Sequence, residues 1–177
     1  MKIVVIAISI LVIGNYLYKK TSLYFFEIPH SPVSLHLNKE SVVLEKGETF
    51  RVSVFVINKR VYYSSTDFKV AYVNLNGKVF AKKPGVAFIV VKVGKKTLKC
   101  KVRVIAISKK SLTLDVGERY QLHVEGDGIL KGVTWKSSNS SVAYVNKFGY
   151  VTAKRKGTTV ITAKVYGKKL TCKLKVE

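Results

Sequence analysis

The chain holds few residues that could make or break bonds, and their spacing does not assemble them. His30, His36 and His123 are scattered, no two stand at a metal-ligand spacing, and Cys100 and Cys172 lie far apart, so no zinc site is encoded. Glu125-Gly-Asp127 is the nearest approach to a calcium loop, but it lacks the ligand count and reads as a polar hairpin tip. Ser137, Ser138, Ser140 and Ser141 form a turn cluster with no histidine placed by a nucleophile motif. Gly85 and Gly94 are isolated turn glycines, not a phosphate-binding loop. No catalytic residue, cofactor, metal or small-molecule substrate is assigned, and the chain is read as a non-enzyme.

Positive charge, by contrast, is abundant. Thirty-two Lys and Arg against ten Asp and Glu give a formal charge of +22. A field of that size draws anionic surfaces and polymers. Lys99, Lys101 and Arg103 alternate with Leu98, Cys100 and Val102, and Lys173 and Lys175 alternate with Cys172 and Leu174. Period-two alternation puts each set on the outward face of a strand. These five are the candidate polyanion contacts. The plainer account is that lysines on strand faces keep a chain soluble and discourage edge pairing. No helix-turn-helix, RNA-binding aromatic pair or zinc finger accompanies the charge, so sequence-specific nucleic-acid binding is not expected.

The strands that must carry these lysines are written twice. Val70-Ala-Tyr-Val73 recurs as Val142-Ala-Tyr-Val145, and a shift of 72 residues pairs Gly77 with Gly149, Ala81 with Ala153, Cys100 with Cys172 and Val104 with Val176. Eighteen of the thirty-five positions from 70 to 104 are identical to their partners without a gap. A repeat of this kind takes precedence over length in deciding domain count. Short alternating runs bounded by turn residues, such as Phe50–Val56, Val79–Ala81 and Leu98–Val104, indicate an all-β sandwich. Each Cys falls on the buried side of its strand, a whole unit away from the other. Both are therefore small core residues rather than a disulfide pair. Arg103-Val104 runs into Ile105-Ala-Ile107 with no Gly or Pro, so the connection between units should be stiff.

Ahead of the repeats, residues 3–18 carry no charge and follow Lys2. This pattern is that of a cleaved signal peptide or of an uncleaved anchor slightly shorter than a full membrane span. Tyr24-Phe25-Phe26, Pro29 and Pro32 suit an extended spacer at the lipid–water interface.

The order of signals in the repeat resembles the bacterial immunoglobulin-like domain, group 2. It runs from a Gly-Glu turn (Gly47-Glu48, Gly117-Glu118), through Trp135 before a Ser-rich turn and Val142-Ala-x-Val-x-x-x-Gly-x-Val-x-Ala153, to Gly157, Ile161-Thr-Ala163 and a closing strand with Cys172. The first copy departs from it with Tyr63 for Trp and Phe88-Ile-Val-Val91 for Val-Ile-Thr-Ala. The resemblance implies an all-β chain of two tandem immunoglobulin-like β-sandwiches after an N-terminal hydrophobic helix. The divisions are residues 1–20 (signal anchor or signal peptide), 21–32 (linker), 33–104 and 105–177. It implies a bacterial cell-surface protein outside the membrane, anchored through residues 3–18 or secreted, acting in adhesion or as a spacer. The alternative is a dedicated polyanion- or carbohydrate-binding surface protein using a basic strand face. Expected partners are anionic cell-wall polymer, glycan or a surface protein. The family carries no ligand motif to transfer.

Overall fold

The computed structural model describes residues 35–56, 59–128 and 132–177. The hydrophobic helix and linker expected over residues 1–32 lie outside them. Leu37–Glu177 form one compact unit, whose regular elements among the described residues are all strands. Among the described residues no helix is long and apolar enough to cross a membrane.

The first seven strands are β1 (Ser41–Glu45), β2 (Thr49–Arg51), β3 (Val61–Ser65), β4 (Ala71–Val73), β5 (Lys78–Ala81), β6 (Gly85–Val93) and β7 (Lys96–Ile107). They make a sheet in the order β1-β7-β6-β3 and a smaller one in the order β2-β5-β4. Strands β8 (Ser111–Leu114), β9 (Arg119–Gln121), β10 (Val124–Glu125), β11 (Thr134–Ser137), β12 (Ala143–Val145), β13 (Tyr150–Ala153), β14 (Gly157–Val165) and β15 (Lys168–Val176) follow. Their sheets run β11-β14-β15-β8 and β12-β13-β9, the same order again, with β10 paired to the end of β7. In each pair of sheets the closing strand lies parallel to the opening one, β7 to β1 and β15 to β8, while the other pairings are antiparallel.

Alternation in the sequence sets which face is buried. Along β15 the exposed Lys169, Thr171, Lys173 and Lys175 alternate with buried Leu170, Cys172, Leu174 and Val176. The buried set meets Val145, Val151 and Ala153 of the facing sheet in one hydrophobic cluster. At about 1.5–3 kcal/mol for each large side chain removed from water, these contacts dominate the stability of each sheet pair.

One close approach fixes how the two sheets meet. Gly149 has φ +82°, and a Cβ there would stand 2.2 Å from the Leu122 carbonyl oxygen and 3.0 Å from the Trp135 ring. Gly77 repeats the arrangement at φ +73° against Val52 and the Tyr63 ring. The Leu122 N–H donates to the Gly149 carbonyl at 2.9 Å, and Val52 donates to Gly77 at the same distance. Tyr63 in the first pair therefore stands where Trp135 stands in the second.

Strand β7 crosses between the pairs without a break. Its alternation stops at Val104, after which Ile105, Ala106 and Ile107 are all buried. Both faces are covered there: Ile105 and Ile107 belong to the second core, while Val104 and Ala106, on the opposite phase, are buried as well. A strand covered on both faces loses its polar alternate positions. Beyond that point Ile107 pairs with Val124 of β10.

Candidate functional site

Cys100 and Cys172 are free and fully buried. Burial pushes the Cys100 thiol up to about 11 and raises that of Cys172, so neither is a poised nucleophile. Among the described residues no group of three or more His, Cys, Asp or Glu could hold a metal ion. The Ser-rich turn is structural. The buried Thr159 hydroxyl lies 3.1 Å from the Ser137 hydroxyl and 3.0 Å from that of Ser138, and it accepts the Asn139 N–H at 3.0 Å.

The five basic residues all leave the outer faces of the larger sheets, but the structure divides them. Lys99, Lys101 and Arg103 lie on β7, paired with Val90, Phe88 and Val86 of β6. Lys101 and Arg103 are also flanked by Ser41 and Val43 of β1. Arg103 is committed elsewhere: its guanidinium stacks over the Tyr166 ring at 4.7 Å and donates to the Tyr166 hydroxyl at 2.9 Å. Tyr166, in the turn between β14 and β15, holds φ +49°, where the first pair has Gly94 at φ +59°. A side chain in the left-handed region costs about 1–2 kcal/mol, and the Arg103 contact offsets that cost.

Two ion pairs also join the sheet pairs. Lys110 reaches Glu45 at 2.9 Å, and Lys168 reaches Glu48 at 2.6 Å. Burial acts to raise the Glu48 pKa, but the Lys168 hydrogen bond, the Glu45 N–H and the Lys168 charge together leave it lowered. The Lys46 N–H donates to the Ile105 carbonyl at 2.9 Å, and Val43 packs on the second core. The seam between the sheet pairs is thus tied by backbone, ionic, aromatic and apolar contacts together.

Lys173 and Lys175 have different surroundings. Lys173 sits between Val160 and Ser111, and Lys175 between Thr158 and Thr113. With Leu112, Leu174, Ser138 and Thr159 these residues line a groove of about 440 Å³ on the outer face of the sheet. That volume is in the range of small-ligand sites. The lining contains two lysines, five hydroxyls and no carboxylate. Glu177, at the end of β15, pairs with Lys175, whose hydrogen bond and charge lower the Glu177 pKa. Lys99, Lys101 and Arg103 do not line this groove.

The sequence reading did not anticipate a second exposed feature, on the smaller sheets. Tyr72 and Phe80 lie with ring centroids 5.9 Å apart, and Lys78 stands 5.2 Å above Phe80. Lys154 stands over Tyr144 at 5.4 Å and Lys147 over Phe148 at 5.0 Å. The signal was present in Tyr72 and Tyr144, large apolar residues on the outward phase of strands whose neighbours are buried.

A family model described as the bacterial Ig-like domain (group 2) matches residues 101–174. An uncharacterized protein of Clostridium acetobutylicum is 29% identical over 148 residues, covering 75% of this chain and 15% of its own length. The chain therefore spans well under two thirds of that relative. Similar solved structures include the C-terminal 282-residue fragment of intimin in complex with the intimin-binding domain of the translocated intimin receptor. It is 19% identical, with 80% of this chain and 62% of that one covered and a TM-score of 0.47. Invasin, titled a bacterial integrin-binding protein, is 13% identical over 81% of this chain and 38% of its own, at a TM-score of 0.44. The S-layer protein rSbsC(31-844) is 21% identical over 82% of this chain and 28% of its own, at a TM-score of 0.37.

Proposed function

We propose that this chain is a non-enzymatic bacterial cell-surface protein whose two group 2 immunoglobulin-like domains, residues 33–104 and 105–177, act as an adhesion or spacer module outside the membrane. Residues 1–20 export it, and they anchor it if they are not cleaved. The observation that carries the reading is the seam, where β7 belongs to both sheet pairs and Glu45–Lys110, Glu48–Lys168 and Arg103–Tyr166 close around it. A flexible tether would need none of these, whereas a spacer needs its parts held in one orientation. The family match over 101–174 and the recurrence of one strand order support the modular reading.

Two measurements test it. Spin labels at Thr97→Cys and Lys147→Cys in the full chain should give one narrow distance distribution. Both positions are exposed, and the native thiols are buried and will not take label. A broad distribution would overturn the spacer. Protease treatment of intact bacteria expressing the tagged chain should degrade it, and protection until lysis would overturn the surface location.

A second reading, a dedicated polyanion- or carbohydrate-binding surface protein, is favoured by the groove around Lys173 and Lys175.

A further inference from the structure

The groove has a counterpart in the first sheet pair, and the residues that differ bear on its occupant. In the first pair the row Val86–Arg103–Val43 crosses the outer face of β6, β7 and β1. The second sheet pair engages that row, Val43 packing on the second core and Arg103 on Tyr166. The equivalent row in the second pair reads Thr158–Lys175–Thr113. Both valines have become threonine, and the arginine that stacks on an aromatic ring has become lysine. The adjacent row changes from Phe88–Lys101–Ser41 to Val160–Lys173–Ser111, and Phe88 is itself 39% exposed.

These substitutions argue against another module packing on the second groove as Val43 and Arg103 are packed in the first. An apolar cover would strip water from the Thr113 and Thr158 hydroxyls with nothing to replace it. They suit a hydrophilic occupant instead. A hydroxyl both donates and accepts, which matches the hydroxyls of a sugar. Lysine is a compact point charge on a flexible stem, which suits anionic groups whose position varies along a polymer. Residues two apart on a strand leave it about 6.6 Å apart, so Lys173 and Lys175 offer two anchoring charges along one chain. Behind them the Thr159 hydroxyl fixes the Ser137–Asn139 turn that walls the groove, with the Ser138 hydroxyl also accepting the Val160 N–H at 2.9 Å, and the first pair has Ala87 at the Thr159 position.

We propose that this groove binds an anionic glycan chain, with Lys173 and Lys175 taking its phosphate or carboxylate groups. Ser111, Thr113 and Thr158 take its hydroxyls. The proposal deepens the polyanion-binding reading and is independent of the spacer. Glu177 competes for Lys175 and restrains binding.

The test is isothermal titration of the full chain in nonionic detergent with a phosphomannan, with polygalacturonate and with neutral dextran, at low and physiological salt. Binding to at least one polyanion, weaker as salt rises, with none to dextran, is the expected result. The phosphomannan and polygalacturonate arms distinguish phosphate from carboxylate as the anion. Lys173→Glu with Lys175→Glu should weaken binding at least about tenfold, and Thr113→Val with Thr158→Val about three- to tenfold without changing charge. Glu177→Gln should tighten it, and Lys99→Glu with Lys101→Glu should leave it within about twofold. Tryptophan fluorescence checks that the variants in the second sheet pair are folded, and cooperative unfolding by circular dichroism checks the Lys99/Lys101 variant. Absence of binding to either polyanion overturns the proposal. So does equal loss in the Lys99/Lys101 variant, which would mean diffuse charge, or no loss in the threonine variant. Self-association of the chain that is lost on charge reversal at Lys173 and Lys175 would also overturn it, in favour of a protein occupant. In all these cases the spin-label distance still reports separately on the spacer.

Discussion

Substituting Gly149 by Ala tests whether the sheets are set by close approach or only by turn conformation. The new Cβ would lie 2.2 Å from the Leu122 carbonyl oxygen, a backbone atom, and 3.0 Å from the Trp135 ring. Neither can retreat cheaply, since the Leu122 N–H is bonded to the Gly149 carbonyl and Trp135 packs on the core. Holding Ala at φ +82° costs about 1–2 kcal/mol. Overpacking against fixed neighbours adds about 1–3 kcal/mol, for a total of about 2–5 kcal/mol. A unit of some seventy residues has only about 4–10 kcal/mol to lose. Gly117→Ala isolates the first contribution, because Gly117 has φ +91° with nothing within 4 Å of its Cβ position. Urea unfolding of the full chain, followed by the fluorescence of its one tryptophan, Trp135, reports on the second sheet pair alone. Gly149→Ala should lose at least about 1 kcal/mol more than Gly117→Ala. Equal losses in the two variants would refute the close-approach account.

Other expectations concern the seam and the thiols. Tyr166→Gly removes the strained φ and the Arg103 contact together; the spin-label distribution should broaden while the urea midpoint of the second pair stays level or rises. Glu48 has a folded pKa below its ordinary 4.5, so its contribution to the seam is full above that value and is lost as pH falls through the lowered one. The distance distribution should accordingly broaden only on acidification below the ordinary carboxylate value of 4.5, and Lys168→Met should broaden it at neutral pH and abolish the pH response. Cys100 and Cys172 should resist a thiol reagent at pH 8 in the native chain and react on addition of denaturant, since burial raises both pKa values. Rapid native labelling at either would contradict the core assignment.

Much of the architecture is legible in the repeat, because period-two alternation and turn glycines are local signals. Lys173 and Lys175 can be placed on an outward face from Cys172 and Leu174 alone. Their neighbours cannot. Ser111 and Thr113 come beside them through parallel pairing of β8 with β15, strands some sixty residues apart in sequence, and no local pattern announces that register. The opening strands also follow a different offset. Ser41 answers to Ser111 and Gly47 to Gly117 at 70 residues, not 72, so the rows of the two copies align only once pairing is known. In the sequence Arg103 is one of five equivalent cations. Its partner is 63 residues away, and only the replacement of Gly94 by Tyr166 hinted that the turn opposite had been altered. Tyr72 and Tyr144 are visible as outward-phase tyrosines, but their partners are not local: Phe80 comes from the paired strand β5, and Lys154 from just beyond β13.

The parallel pairing of opening and closing strands bears on how the molecule carries tension. A pull along the chain enters the first sheet pair at β1 and leaves through β7, which lie side by side and point the same way, from Ser41↔Lys101 to Glu45↔Ile105. The two strands are then drawn past each other in shear, so their evenly spaced hydrogen bonds bear the load together rather than failing one at a time. The second pair meets the same pull through β8 and β15, from Lys173↔Ser111 to Val176↔Leu114. Because β7 continues without interruption into the next sheet pair, the load passes between them along one backbone and never through the side-chain contacts of the seam. Those contacts set orientation, while rupture strength resides in the two parallel pairings.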